Sequence, residues 1–163
     1  VEPGTSPPLE VGDDLLIYYY ASPKGQSEPV VTETGVAVCR LRKDRFVGQW
    51  ADNLTGYLVT RQFLLEGSKL EINCVSNLAP YTQRDWGIRV EILEPPDGKS
   101  QATRWEKRIP GFTLEECDNV RKDALAHTVS WQGKSDLSAL KGRAVYLRFE
   151  MKKAGLYTFR IAP

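Results

Sequence analysis

The chain has 163 residues, of which 41% are hydrophobic and 26% charged, as in an ordinary soluble domain. Its 22 basic and 21 acidic residues leave a net charge of +1. A nucleic-acid-binding protein needs an excess of positive charge, and a membrane-spanning helix needs an apolar run of about 20 residues. The sequence has neither, so we expect no nucleic-acid partner and no membrane partner.

Short apolar or alternating segments predict strands along the whole chain. Turn residues separate them every ~8–12 residues, and no segment keeps the 3.6-residue period of an amphipathic helix. The first three predicted strands, at 14–20, 35–41 and 45–50, form a meander that is too short to fold alone. Further strands are predicted at 56–64, 69–75, 87–93, 126–131, 145–151 and 156–161.

The pattern predicts an all-β fold, a mostly antiparallel β-sandwich of the jelly-roll or concanavalin-like kind. We expect two parts, an N-terminal strand segment at 1–52 and the sandwich at 53–163. The last two strands alternate clearly. Val145, Leu147 and Phe149 lie on one side of the first strand, and Tyr157 and Phe159 lie together on one side of the second. Thr113 and Glu116 have the spacing of a capping box, which predicts one short helical turn.

Three cysteines lie outside any metal-ligand spacing, and their number is odd. One disulfide, Cys74–Cys117, is a candidate, and three reduced thiols packed as small apolar groups are the alternative. His127 is the only histidine, so it predicts a core or rim position rather than a metal or nucleophile site. We expect no cofactor and no metal ligand, while a structural Ca²⁺ stays open.

Acidic residues cluster in one stretch at Glu115, Glu116, Asp118 and Asp123. Glycoside hydrolysis needs two carboxyl groups about 5–10 Å apart across a cleft. Adjacent carboxylates on one turn face different ways, so capping and solvating a loop is the preferred interpretation. The rim of a binding site, a Ca²⁺ site and catalysis are the alternatives.

Aromatic residues make up 10% of the chain, and two polar loops contain several of them. Sugars stack their C–H faces on such rings and hydrogen-bond to charged neighbours. Packing of each tryptophan over a sandwich edge is the alternative. Trp131 and Tyr157 are expected in the core, and Trp50 at the interface between the two parts. The predicted glycan-binding residues are Tyr81, Arg84, Asp85, Trp86, Trp105 and Glu106.

Several segments together resemble a known family. They are 56–63 (GYLVTRQF), 109–118 (IPGFTLEECD), 127–131 (HTVSW) and 135–143 (SDLSALKGR), with 15–21 and 34–47 at the start of the chain. They are similar to the C-terminal β-sandwich, with the last propeller strands, of secreted bacterial proteins that resemble glycoside hydrolase family 32 and 43 enzymes. The resemblance implies that residues 1–52 end the last propeller blade. It also implies that the catalytic carboxylates lie on earlier blades, so no catalytic residue is assigned here.

We therefore predict a non-catalytic, carbohydrate-binding accessory module of a secreted glycoside hydrolase, located outside the cell, in the periplasm or on the cell surface. Its partners would be a polysaccharide or oligosaccharide and the parent catalytic domain. A domain that only braces the propeller is the first alternative. A small glycan-degrading enzyme that uses the region from Glu115 to Asp123 is the second.

Overall fold

The computed structural model describes residues 2–4, 6–22, 35–76, 86–95 and 107–163. The chain divides into two compact units, Val1–Phe46 and Val47–Pro163. The described part of the chain contains antiparallel strands and one short 3-10 turn, Ser138–Leu140. The predicted all-β fold, with mostly antiparallel sheets, is confirmed.

The first unit is a small sheet built around one central strand. One edge of the central strand pairs with two short N-terminal strands, and the other edge pairs with the strand that follows. The turn between the second and third strands uses Gly12 at φ 58°, a conformation that glycine adopts readily. The strands are β1 (Glu2–Pro3), β2 (Leu9–Val11), β3 (Asp14–Ala21) and β4 (Gly35–Arg42).

This first sheet has no buried core of its own. In the described part of the chain, the buried hydrophobic side chains all lie at or beyond Ala51. Tyr18 and Tyr20 are exposed on one face of β3, and Tyr19 lies on the opposite face. Both faces of the sheet therefore carry apolar side chains, and the sheet buries none of them completely.

The second unit contains two antiparallel sheets. One has the strand order β10–β8–β12–β5, and in the other β11 pairs with β6, β7 and β9. The strands are β5 (Gln49–Ala51), β6 (Gly56–Val59), β7 (Phe63–Leu64), β8 (Lys69–Ser76), β9 (Gly87–Leu93), β10 (Asp123–Thr128), β11 (Ala144–Lys152) and β12 (Ala154–Ala162).

The hydrophobic core lies between the inner faces of these two sheets. Leu147 and Phe149 of β11 are fully buried, as their alternation predicts, and Phe149 packs against Phe159 of β12 at a centroid distance of 5.6 Å. Trp131 is buried, and its indole N–H donates a hydrogen bond of 2.8 Å to the carbonyl of Val90. The core position predicted for Trp131 is therefore confirmed.

The structure differs from the sequence prediction in three strands. The strand predicted at 45–50 is confined to β5, and the segment at 56–64 divides into β6 and β7. The register of β12 against β8 shifts between Leu156 and Thr158, so Tyr157 leaves the core side. Near Thr113 the chain forms the single helical turn that the spacing of Thr113 and Glu116 predicts.

That turn keeps half of the predicted capping box. The Glu116 carboxylate accepts hydrogen bonds from the Thr113 backbone N–H (3.2 Å) and hydroxyl (2.8 Å). The Cys117 N–H donates to the Thr113 carbonyl (3.0 Å), which closes a single helical turn. No helix follows, because Cys117 already pairs with Trp131 as an isolated bridge.

All three cysteines are free thiols, which favours the reduced alternative over the Cys74–Cys117 disulfide. Cys39 is exposed, whereas Cys74 and Cys117 are buried. Burial raises the pKa of Cys117 to about 11, although the Val90 N–H donates to its sulfur at 3.2 Å. At neutral pH Cys117 is therefore a protonated, inert group.

We expect one thiol of the native chain to react rapidly with a disulfide reagent such as DTNB at pH 8. Cys39 supplies it, since the buried thiols react only when the sandwich opens. Cys39→Ser should remove the fast phase, and adding a denaturant should release all three thiols. Fast reaction of two or three thiols in the native protein would contradict the burial of Cys74 and Cys117.

We also expect residues 47–163 to fold without the first unit. Their sandwich contains the described core, whereas a short sheet without buried side chains cannot offset its loss of conformational entropy. Urea unfolding of the 47–163 fragment should be cooperative, and a 1–46 fragment should give the circular dichroism of an unfolded chain. A 47–163 fragment without a cooperative transition would disprove this assignment of the core.

Candidate functional site

An exposed aromatic ring lies on the outer face of β5 in the second unit. Trp50 lies opposite Gly155 of β12 and is 61% exposed. A Cβ atom built on Gly155 would lie 2.6, 2.9 and 3.0 Å from three atoms of the benzene ring of the indole. The ring therefore lies on the glycine with one side against the backbone, and its other side faces solvent.

A second ring lies on the same face in a similar way. A Cβ atom on Gly48 would lie 2.8 Å from both Cδ1 and Cε1 of Tyr157. The bulge in β12 causes this, because Leu156 points into the core while Tyr157 and Thr158 together oppose one residue of β8. We name Trp50 and Tyr157, with Gly48 and Gly155 beneath them, the aromatic platform.

Polar residues continue along the outer face from the aromatic platform. The pairing register places Thr158 beside Asn73, and it places Asp123 two strands away from Gly155, on the other side of Val75. One step further, Arg160 pairs with Glu71, with an Nη2–Oε2 distance of 2.6 Å. The face thus combines exposed aromatic surface with hydroxyl, carboxylate and guanidinium groups.

The outer face of the other sheet carries a second polar cluster, centred on a buried carboxylate. Glu91 is fully buried and forms ion pairs with Arg148 and Arg108, the latter at 3.3 Å. Burial raises the pKa of Glu91, and both arginines act in the opposite direction. The guanidinium of Arg148 also lies 5.6 Å from the centre of the Tyr57 ring.

The charges in this second cluster bind one another. The Tyr57 hydroxyl donates to Glu150 at 2.9 Å, and Glu150 also forms an ion pair with Arg89. The hydrogen bond to Glu150 is the main cause of the raised pKa of Tyr57. Because each group already has an internal partner, we assign this cluster to stability and not to ligand binding.

The four acidic residues considered for catalysis also interact with other groups of the chain. Glu115 accepts two hydrogen bonds from Arg108, at 2.9 and 3.0 Å, and Glu116 caps the turn described above. Asp118 accepts from the Ser130 hydroxyl at 2.6 Å and from the Gly133 N–H at 2.8 Å. The pKa of Glu115 is lowered by its own backbone N–H and by Arg108, and the contacts above lower the pKa of Glu116 and Asp118. The fourth, Asp123, is exposed on β10.

His127 lies half-buried on β10, across from Ile72. Burial lowers its pKa, so the imidazole is neutral at physiological pH. In the described ranges, no three histidine, cysteine or acidic side chains come together as metal ligands do. The same ranges contain no helix that is long and apolar enough to cross a membrane.

Of the six predicted glycan-binding residues, Trp86 alone lies within the described part of the chain. It directly precedes β9 and is half-buried, and its carbonyl accepts a hydrogen bond of 2.8 Å from Asn119. Because no described contact tests their role, all six stay predictions. The other five, Tyr81, Arg84, Asp85, Trp105 and Glu106, lie outside the described residues.

The sequence interpretation missed both members of the aromatic platform. Trp50 was expected to be covered at an interface, and Tyr157 was expected in the core. The signal that identifies them is the glycine across from each ring, and that pairing depends on the register between β5 and β12. Such a register joins segments about 100 residues apart and cannot be read from either segment alone.

Comparison of the chain with protein-family models, with curated proteins and with solved structures finds no match. The resemblance to the sandwich of glycoside hydrolase family 32 and 43 enzymes therefore stays a prediction.

The two polar clusters should respond differently to removal of an arginine. Arg148→Met leaves the buried Glu91 with one arginine and should cost about 3–5 kcal/mol of unfolding free energy. Arg160→Met removes an exposed partner of Glu71 and should cost about 0–1 kcal/mol. Urea denaturation of both variants measures the difference. Equal losses would mean that burial does not distinguish the two ion pairs.

Proposed function

We propose that this chain is a non-catalytic carbohydrate-binding module whose ligand stacks on the aromatic platform. The observation that carries the proposal is the position of Trp50, an indole with one side against Gly155 and 61% of the residue exposed. A solvent-facing indole held flat on a strand is a preformed stacking surface, and the axial C–H groups of a pyranose ring fit such a surface.

The glycines beneath the rings support this proposal through conformational entropy. A ring already packed on the backbone loses little rotational freedom when a ligand covers its open side. The bulge that directs Tyr157 outward gives the platform a second ring on the same face. A sugar chain that follows the strand direction would contact both rings through successive residues.

Polar groups at the margin would bind the sugar hydroxyls. Thr158 is exposed on the same outer face, and the Arg160–Glu71 pair offers one donor and one acceptor group. Hydrogen bonds made in solvent contribute little net free energy, and stacking must also offset the immobilisation of the ligand. We therefore expect weak binding, with dissociation constants nearer the millimolar than the nanomolar range.

The remaining parts of the proposal rest on the family resemblance alone. They are the parent glycoside hydrolase, its catalytic domain as a partner and a location outside the cytoplasm. The internal partners of Glu115, Glu116 and Asp118 support a non-catalytic role, because a general acid or base must be available to the substrate.

Two substitutions should weaken binding for different reasons. Trp50→Ala removes the stacking surface, and Gly155→Ala keeps the indole but forces it away from the strand by a Cβ at 2.6 Å. We expect affinity electrophoresis in polysaccharide gels to show retardation of the native chain that falls at least ~10-fold in both variants, since stacking supplies most of the affinity.

Matched controls separate the aromatic platform from other surfaces. Tyr57→Ala removes an exposed aromatic from the opposite sheet, and Gly35→Ala adds a methyl group to a strand position with open space around it. Both should leave retardation unchanged. Loss of retardation in Trp86→Ala but not in Trp50→Ala would move the site to the loop predicted from the sequence.

A structural domain that supports a neighbouring domain is the second candidate function. The exposed apolar side chains of the first sheet favour it. Val36 and Val38 are exposed on β4, and no described hydrophobic side chain of the first sheet is completely buried. A neighbouring domain that packs on them would give the chain a purely structural role. Failure of every polysaccharide tested to retard the native chain would favour this second function.

A further inference from the structure

The outer edge of β4 is an open strand edge of eight residues. β4 pairs with β3 from end to end without a register shift and, in the described part of the chain, with no other strand. Its sequence contains no proline, and its first five residues carry no charge, so the residues that commonly protect an edge strand are confined to the second half. An edge of this kind favours the addition of another strand.

The hydrogen bonds inside the sheet show which residues face the open edge. The carbonyl of Tyr18 accepts from the Gly4 N–H, so the backbone groups of Tyr18 point away from β4. Its partner across the ladder, Val38, therefore points its own N–H and C=O away from β3. The hydrogen bond from Lys43 to Asp13 confirms this alternation, since it places the odd-numbered residues of β4 toward β3.

We propose that two copies of this chain pair antiparallel along β4, with Cys39 directly opposite Cys39 of the second copy. The even-numbered residues of β4 direct their N–H and C=O groups toward the open edge. An even-numbered residue of one copy must therefore lie opposite an even-numbered residue of the other for hydrogen bonds to form. Pairing Val38 with Arg40 meets this condition and centres the ladder on Cys39, and the ladder ends before Arg42, whose carbonyl already accepts the Arg45 N–H at 3.2 Å. This inference does not depend on the proposed glycan binding.

The charges of β4 favour the antiparallel orientation of two copies over the parallel one. Arg40 and Arg42 both lie in the second half of β4, where each forms an ion pair with an aspartate of its own chain. An antiparallel partner places valines across from these arginines. A parallel partner in register would place arginine against arginine, which is unfavourable.

The position of Cys39 makes the register measurable. The N–H and C=O groups of Cys39 point toward β3. In the pair of copies, Cys39 and its counterpart therefore lie opposite each other without hydrogen bonds between their backbones. Such residues have Cα atoms about 4.5 Å apart, within the range of about 4.4–6.8 Å that disulfides allow. Oxidised glutathione would convert the two thiols to one intermolecular disulfide and release two molecules of reduced glutathione.

The test uses the full chain in solution. Light scattering with size-exclusion chromatography should show a dimer whose fraction rises with concentration, and oxidised glutathione should produce a covalent dimer on non-reducing gels. Cys39→Ser should abolish the covalent dimer and leave the non-covalent one. Val38→Pro removes a donor that faces the edge without affecting the β3 ladder, and should weaken association roughly tenfold or more.

Register is tested by moving the thiol. In the Cys39→Ser background, Ala37→Cys alone should not crosslink, because residue 37 lies opposite Leu41 of the other copy. Adding Leu41→Cys should restore the covalent dimer. A monomer at every concentration, a dimer unaffected by Val38→Pro, or crosslinking of Ala37→Cys as fast as that of Cys39 would overturn the proposal. So would a dimer in which β4 amides exchange with solvent as they do in a monomer.

Discussion

One extra residue in β12 controls both sides of its sheet. A regular strand cannot direct Leu156 and Phe159 to the same face, because alternate side chains point in opposite directions. The bulge between Leu156 and Thr158 resolves this conflict and lets both apolar residues face the core. The same bulge turns Tyr157 outward. Core packing and the aromatic platform are thus two results of a single backbone irregularity.

The sequence predicts those parts of the fold that depend on local alternation. The long strand β11 has a strict period of two, and its apolar side is buried as expected. In β12 the alternation counted from Tyr157 gave the right face for Phe159 and the wrong one for Tyr157. A bulge leaves no clear mark in the sequence, because its cause is the packing of neighbours from another sheet.

The candidate site was less predictable because its elements are non-local. Trp50 is unremarkable in sequence, and only its pairing with Gly155 shows that the indole lies on backbone. For Glu91 the sequence pattern predicts too much exposure, because alternation with Val90 places the carboxylate on the solvent side of the strand. The structure buries it completely between two arginines. Which face of a strand is covered depends on the whole topology, and neither periodicity nor composition contains that information.

The short strand β5 has a further consequence for any ligand of this face. With three residues at the edge of its sheet, β5 is held by few backbone hydrogen bonds and opens more readily than β8 or β11. The indole of Trp50 is attached to this strand, so the platform exists only while β5 is paired. A molecule that covers the ring must therefore also hold the strand closed. Recognition at this surface would be linked to local folding, and the edge of the sheet would become more rigid as the ligand binds.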